Sequence, residues 1–126
     1  MHNINPIVMH TCHKMSRSVI AILSFLTYEE MQQLVYPIDA KTLHRTLWKR
    51  RDEICDFFFG KEYARMVDKS WKLLELITDS LEITSMDDRL IGKQEDNIVA
   101  FIEKAKKMQP AEYYATCSKV RASFFP

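Results

Sequence analysis

The sequence predicts an all-α protein, a single compact bundle of about five to six helices with short connections. The 126-residue chain contains only 2 glycines and 4 prolines, whereas sheets need tight turns that usually use Gly, Asn or Pro. Apolar residues recur every three or four positions along much of the chain, which is the spacing of one helix face. We treat residues 1–126 as one domain, with a possible core module over 17–83 that is completed by C-terminal helices over 94–124.

The chain up to residue 26 is expected to be helical and to become buried towards its end. Asn5-Pro6 suits a helix start, with Asn as N-cap and Pro in the first turn. Residues 6–26 are compatible with helix, with a break near Ser16. Residues 19–26 are apolar nearly all round, so this segment should lie deep in the core.

A second helix should begin at Thr27. Thr27 and Glu30 stand three residues apart and form a capping box, in which each side chain bonds the other residue's backbone N–H. The helix should reach Tyr36 and stop there, because Pro37 disfavours the α conformation at the residue before it.

A longer helix is expected from Asp39, its N-cap, through Phe59. Gly60 should follow the end of this helix, since glycine adopts positive φ without steric cost. The apolar stripe of the helix consists of Leu43, Leu47, Ile54 and Phe58.

The clearest pattern in the chain predicts one continuous helix over Lys61–Ile83. Its apolar stripe consists of Tyr63, Met66, Val67, Trp71, Leu74, Ile77 and Leu81. A tryptophan in the middle of such a stripe buries on the order of 150–250 Å² when it lies in a core. We therefore expect Trp71 to be a core anchor around which the rest of the chain packs.

The C-terminal part should form a short helical turn and two helices. Ser85 can cap the turn, which Gly92 should close. The next helix should start at Gln94 or Asp96 and end at Gln109-Pro110. Its stripe consists of Ile98, Phe101, Ile102, Ala105 and Met108. The stripe of the last helix consists of Tyr113 or Tyr114, Cys117, Val120 and Phe124.

The charge and hydropathy of the chain argue against several classes of protein. The net charge is +1, which is not the strongly basic balance of a dedicated nucleic-acid binder. No run of about 18 apolar residues exists, so we expect no membrane span. The N-terminus also lacks the continuous apolar segment of a secretory signal. We therefore expect an intracellular location, either nuclear or cytoplasmic.

The cysteines are not expected to form a disulfide framework. Cys12, Cys55 and Cys117 are odd in number and widely separated, which agrees with a reducing compartment. Free cysteine is among the most buried residue types. We therefore expect these residues to act as small apolar side chains.

A metal site near the N-terminus is the main chemical alternative. His10, Cys12 and His13 are close in sequence, but structural zinc sites usually take four ligands from spaced pairs. Adjacent Cys12 and His13 would also point in different directions on a helix. We therefore expect no metal and no cofactor. The chain has no Gly-rich phosphate loop and no local nucleophile–base pair, so we expect a non-enzymatic protein.

Basic residues in the middle of the chain are the best candidates for partner binding. Lys49, Arg50 and Arg51 are followed by Asp52 and Glu53, an arrangement that is also typical of a solvated helix face. The functional alternative is a basic patch that binds an acidic peptide. The candidate partner-binding residues are Arg45, Lys49, Arg50, Arg51, Phe57, Lys69 and Lys72.

Phe57 is included because it begins a run of three phenylalanines, Phe57 to Phe59. Three consecutive side chains on a helix span about 200° and cannot all face one core. One of them, Phe57, should therefore look outward or into a partner.

Three segments carry a resemblance to a known family: MQQLVYPID at residues 31–39, LHRTLW at residues 43–48 and YARMVDKSWKLL at residues 63–74. They resemble the N-terminal Leu/Trp domain of transcription elongation factor IIS and elongin A, and the last is similar to its closing "FARxLVxxWKxL". The family's Ile-Gly pair and Arg-Lys-His run are absent here. The resemblance implies a right-handed helical bundle with Leu43 and Trp71 in its core. It also implies an adaptor that binds short acidic, Phe-anchored motifs in transcription proteins.

Two further readings stay open. Residues 22–34 are similar to the first half of an F-box, "IxxxLxxxDLxxL", with Trp48 near the place of its terminal Trp, which implies an adaptor of a ubiquitin ligase. The 7 Met, 7 Phe, 5 Tyr and 2 Trp residues could also form an exposed apolar patch. Such a patch would suit a self-associating helical structural protein, for example a homodimer. The leading expectation is a non-enzymatic helical protein-interaction adaptor that binds a short peptide motif or a partner helix.

Overall fold

The computed structural model describes residues 16–82 and 88–125, and every regular element in these ranges is a helix. The all-α prediction is therefore confirmed for the described part of the chain. The predicted helix start at Asn5-Pro6, the group of His10, Cys12 and His13, and the cap at Ser85 lie outside the described residues.

The first described helix, α1, covers residues 16–23. The elements after it are α2 (Tyr28–Gln33), α3 (Ala40–Leu47), a 3-10 turn (Trp48–Arg50), α4 (Arg51–Phe59), α5 (Lys61–Arg65), α6 (Lys69–Leu81), α7 (Asp88–Lys106) and α8 (Pro110–Phe124). None of these helices is long and apolar enough to cross a membrane.

The core is built around α1 and the turn that follows it. Its side chains at 19, 21–23, 25 and 26 are buried, as the apolar sequence predicts. α8 is tied to the end of this segment, because the Tyr113 hydroxyl donates to the Leu26 carbonyl at 2.8 Å. Arg121 donates to the Ser24 carbonyl at 3.2 Å. One apolar cluster thus includes residues from the 17–83 segment and from α7 and α8.

The capping box of α2 is confirmed, but α2 is shorter than predicted. Thr27 accepts from the Glu30 backbone N–H at 3.1 Å, and the Glu30 carboxylate accepts from the Thr27 N–H at 2.8 Å. α2 ends at Gln33 rather than at Tyr36. The Leu34 carbonyl accepts a hydrogen bond from the Lys106 ammonium of α7. This donor takes the place of the backbone N–H that a longer α2 would supply.

The predicted helix from Asp39 to Phe59 is interrupted by the 3-10 turn. The cap is confirmed, since the Asp39 carboxylate accepts from the Thr42 N–H at 2.9 Å. At the interruption the Arg51 guanidinium donates to the Trp48 carbonyl at 3.0 Å, which supplies that carbonyl with a side-chain partner. Gly60 follows α4 with a φ of 87°, the conformation for which glycine is suited.

The predicted continuous helix over Lys61–Ile83 is wrong, because the chain forms α5 and α6 with a break between them. Asp68 causes the restart. Its carboxylate accepts from the backbone N–H groups of Ser70 at 3.0 Å and Trp71 at 3.4 Å. This is N-cap geometry, in which a side chain satisfies donors that have no helical partner.

The restart moves Trp71 out of the core, contrary to the prediction. Trp71 is 64% exposed and Met66 is 77% exposed. The buried residues of α6 are Leu73, Ile77 and Ser80, which lie on one helix face and nearly opposite to Trp71. Leu43, the other residue that the family resemblance places in the core, is buried.

Replacing Asp68 with Ala is expected to lower the free energy of unfolding by about 1 kcal/mol, because two N–H groups of α6 lose their cap. Urea denaturation followed by circular dichroism measures this change. Asp79→Ala is the matched control, since Asp79 is exposed near the other end of α6. Removing a negative charge there should be neutral or slightly stabilising. Equal losses in both variants would contradict the capping role.

α7 runs without a break through Gly92, so the predicted short turn and new start at Gln94 or Asp96 are wrong. A glycine inside a helix costs only about 1 kcal/mol relative to alanine. Burial of a long apolar stripe outweighs this cost. The buried apolar residues of this segment are Ile98, Ile102, Ala105 and Met108.

The predicted restart at Gln109-Pro110 is confirmed, with Gln109 as N-cap and Pro110 in the first turn of α8. Tyr113 rather than Tyr114 faces the core, together with Cys117 and Phe124. Cys117 is a free, buried thiol, as is Cys55 of α4. Burial raises the pKa of both thiols, so both act as small apolar groups.

Candidate functional site

A cleft of about 1090 Å³ opens between the end of α2, the loop over residues 34–39, and the exposed side of α3 with its 3-10 turn. Ligand pockets commonly have volumes of roughly 300–1,000 Å³. The cleft is therefore large enough for a segment of peptide. Every side chain that lines it comes from residues 26–50.

The floor of the cleft is apolar. Leu26 and Leu43 line it and are buried, and Leu34 and Ile38 line it and are partly buried. Val35 also lines the cleft and is 72% exposed. A partner that covers these water-exposed apolar side chains would lower the free energy of the complex.

Positive charge dominates the exposed rim. Lys41, Arg45 and Lys49 all line the cleft and are all exposed. They stand four residues apart, so they follow one side of α3 into the 3-10 turn. This spacing places three cationic groups along one edge of an apolar floor.

Glu30 is a carboxylate in the cleft, and it is already paired. The Arg50 guanidinium contacts it through two nitrogens, at 2.8 and 2.9 Å. Burial alone would raise the pKa of Glu30, but the hydrogen bonds from Arg50 and Thr27 lower it below its usual value. Arg50 and Glu30 therefore cancel as charges and serve to hold α2 against the 3-10 turn.

Asp39 also lines the cleft, and its carboxylate caps α3. The Thr42 side chain and backbone N–H donate to it at 2.6 and 2.9 Å, and they lower the pKa of Asp39. The cleft is thus left with an excess of positive charge from Lys41, Arg45 and Lys49.

α7 holds the loop that forms one wall of the cleft. The Lys106 ammonium donates to the Leu34 carbonyl, and the Gln32 side-chain amide donates to the Lys106 carbonyl at 3.2 Å. The Tyr36 hydroxyl donates to the Glu95 carboxylate at 3.3 Å. The wall is therefore formed before any partner arrives, which reduces the entropic cost of binding.

Trp48 stands at the rim, 40% exposed, with a fixed ring position. The Arg51 guanidinium lies 4.4 Å from the centre of the ring, and the His44 ring packs edge-on at 5.6 Å. His44 is itself anchored, because its Nε2–H donates to the Ser70 carbonyl at 3.0 Å. A rigid, half-exposed indole is a typical anchor in protein interfaces.

Of the predicted partner-binding residues, Arg45, Lys49 and Arg50 line the cleft. Arg51 lies against the Trp48 ring next to it. Among these, Arg50 is held by Glu30, so Arg45 and Lys49 are the exposed cations of the predicted set at this site.

The predicted residues Lys69 and Lys72 belong to α6 and do not line the cleft. Lys69 pairs with Asp52 at 3.3 Å. Lys72 pairs with Glu75 at 2.9 Å and lies over the rings of Phe59 and Tyr63. The hydrogen bond from Lys72 to Glu75 raises the pKa of Lys72.

Phe57 differs from its predicted outward orientation. Its side chain is half-buried and packs against Phe25, Phe124 and Phe125, with ring centres 5.7, 5.8 and 5.2 Å apart. Distant segments of the chain bring these rings together, so an argument from one helix alone could not place Phe57.

The cleft also contains residues that the partner-binding set leaves out. Lys41 could have been found from its four-residue spacing to Arg45 and Lys49. Val35 and Ile38 gave no such signal, because their exposure to the cleft follows from the conformation of the loop.

In residues 16–82 and 88–125, no three His, Cys, Asp or Glu side chains are grouped so that they could hold a metal ion. No family model, no curated protein and no solved structure matches the chain. The cleft with its apolar floor and basic rim is therefore the feature of the molecule that indicates a function.

Proposed function

We propose that this protein is a non-enzymatic helical interaction module that binds a short acidic peptide with an apolar anchor residue in the cleft. The observation that carries the proposal is the position of Lys41, Arg45 and Lys49 along the edge of an apolar floor. Recognition of acidic motifs by clustered basic residues is a recurring mode of peptide binding.

The two parts of the cleft would contribute differently. An aromatic or large aliphatic anchor would lie between Trp48 and the loop residues Leu34 and Ile38, where it removes apolar surface from water. Carboxylates on either side of the anchor would meet the exposed cations. Pairs between exposed charges mainly raise the association rate and the selectivity, and they weaken as salt screens them.

The resemblance to the elongation-factor domain adds a class of partner to this proposal. Acidic segments of transcription proteins, with a phenylalanine as anchor, are the first natural ligands to test.

The proposal is tested with a fluorescein-labelled peptide that has one Phe flanked on both sides by Asp and Glu. Fluorescence anisotropy measures its Kd for the wild-type chain and for the double variant Arg45→Glu/Lys49→Glu. We expect the variant to bind at least about tenfold more weakly, because two attractive charge contacts become repulsive. Raising the salt concentration should weaken wild-type binding, whereas it should slightly strengthen the residual binding of the variant, because salt screens the new repulsion.

The matched control is Lys104→Glu/Lys119→Glu, which makes the same change of charge at exposed positions of α7 and α8. This control should bind the peptide as the wild type does. A labelled peptide with Lys in place of the acidic residues should not bind. Equal binding of both peptides, or equal loss in both double variants, would overturn the proposal.

A further inference from the structure

The exposed side of α6 carries the chemistry that the cleft is proposed to bind. Its residues are Trp71, Glu75, Thr78, Asp79 and Glu82, all of them exposed. Trp71, Glu75 and Asp79 follow one another in steps of four residues, Thr78 lies between the last two, and Glu82 is the C-cap residue. They share one side of α6, which we call the α6 face. An aromatic ring thus stands at one end of a row of carboxylates.

The described residues with large exposed apolar side chains gather mainly at two places. Val35 and Trp48 lie at the cleft, whereas Tyr63, Met66 and Trp71 lie on α5, on α6 and in the turn between them. Exposed apolar groups that collect on one part of a surface often mark an interaction site. The two places differ in charge, because the cleft carries Lys and Arg and the α6 face carries Glu and Asp.

The charges of the α6 face are only partly neutralised by their own helix. Glu75 pairs with Lys72 at 2.9 Å. Lys69, the other cation of α6, pairs with Asp52 of α4. Asp79 and Glu82, which are exposed near the C-terminal end of α6, therefore give this end of the face a negative charge.

The two rows of charge also match in spacing. Four helical residues rise by about 6 Å, and this is the step from Lys41 to Arg45 on α3. Glu75 and Asp79 are separated by the same step on α6. In an antiparallel arrangement, Glu75 would face Arg45 and Asp79 would face Lys41. The ring of Trp71 would then meet Trp48 and Lys49, where a ring and a cation attract each other.

From this match we infer that the cleft binds the α6 face of a second copy of this chain. The inference rests on the proposed function, since it names the occupant of the same cleft. α3 packs against α6 within one chain, where His44 donates to the Ser70 carbonyl. α3 and α6 are therefore neighbours, and each copy carries both the cleft and the α6 face. Two reciprocal contacts of this kind close a symmetric dimer.

Sedimentation-velocity centrifugation of the wild-type chain from about 1 µM to about 1 mM tests the inference, a range that covers weak and moderate dimers. We expect a monomer–dimer equilibrium that moves to monomer as salt is added. Lys41→Glu/Arg45→Glu should raise the dimer Kd at least about tenfold, and so should Glu75→Lys/Asp79→Lys on the α6 face, because these four residues face one another in the proposed register.

Mixing the two double variants gives the decisive result. The first variant has an acidic cleft and an acidic α6 face, and the second has a basic cleft and a basic α6 face. Each contact in a mixed dimer then joins opposite charges, so the mixture should form a heterodimer while each variant alone stays monomeric. The matched control for the second variant is Asp96→Lys/Glu103→Lys, at exposed positions of α7, which should dimerise as the wild type does.

The acidic fluorescein-labelled peptide separates this inference from the proposed function. A wild-type chain that binds the peptide but stays monomeric at every concentration overturns the inference, keeps the proposed function and points to a foreign partner. A dimer that survives both double variants also overturns the inference. A salt-sensitive dimer that is restored by mixing the two variants supports the inference, even if the labelled peptide does not bind. In that case the proposed binding of foreign peptides is contradicted.

Discussion

Replacing Leu73 with Ala is expected to lower the free energy of unfolding by about 2–5 kcal/mol, the usual cost of deleting a buried leucine side chain. Trp71→Ala, two residues earlier, should cost less than about 1 kcal/mol, because surface substitutions seldom cost more. Leu73 has no exposed surface, whereas Trp71 is mostly exposed. Urea denaturation of both variants measures the difference.

This pair of substitutions tests the restart of the helix at Asp68. One continuous helix over Lys61–Ile83 predicts the opposite order, with the larger loss at Trp71. A loss of about 3–5 kcal/mol in Trp71→Ala would show that the indole is buried. It would also remove Trp71 from the α6 face.

Tyr113→Ala should be the other severe substitution, with an expected loss of about 3–5 kcal/mol. Tyr113 is fully buried in α8, and its ring packs edge-on against Tyr28 at 5.9 Å. Its hydroxyl also supplies the hydrogen bond to the Leu26 carbonyl. The truncation therefore removes packing between α8 and α2 and leaves a buried carbonyl without its donor. Thermal or urea denaturation measures the loss.

Tyr113→Phe separates the hydroxyl from the ring and should cost about 1–3 kcal/mol. A pH series gives a second readout. Burial raises the pKa of Tyr113, whereas a tyrosine in the unfolded chain ionises near pH 10. Above that pH the unfolded state binds fewer protons than the folded state, so the free energy of unfolding falls as pH rises. Tyr113→Phe should lose this part of the alkaline decline, and an unchanged decline would contradict the burial of the hydroxyl.

Local sequence signals predicted the helix starts well. Thr27, Asp39 and Pro110 each act through atoms within a few residues, so the chain near them contains the whole interaction. The same holds for Gly60, whose positive φ follows from a local steric rule. Buried stripes such as that of α7 could also be predicted, because a helix face repeats along one segment.

Predictions failed where two local signals competed. Asp68 lies inside an apolar stripe that favours one helix, yet it is also a good N-cap residue. The periodicity of apolar residues does not tell whether a continuous helix or a helix that restarts at Asp68 has the lower free energy. Gly92 is the converse case, since a residue that often ends helices lies inside α7. Whether the helix continues through Gly92 depends on the residues that pack against the apolar stripe of α7, and these residues are distant in sequence.

The candidate site could be predicted only in part for the same reason. The basic rim follows from a four-residue spacing on one helix, so Arg45 and Lys49 could be predicted from the sequence. The floor and the wall depend on how the loop over residues 34–39 lies against α7. Contacts between segments about seventy positions apart, such as that of Lys106 with Leu34, leave no pattern in a single sequence.

The hydrogen bond from Lys106 to the Leu34 carbonyl matters when fragments of this protein are prepared. A fragment that ends at Glu82 would contain every residue that lines the cleft, but it would lack the lysine that fastens one wall. Such a fragment would also lack the buried side chains that α7 and α8 contribute to the core, among them Tyr113. Its loop and its helices would therefore be ordered only at an additional cost in free energy. The proposed peptide binding should therefore be measured with the whole chain, because a fragment would underestimate the affinity.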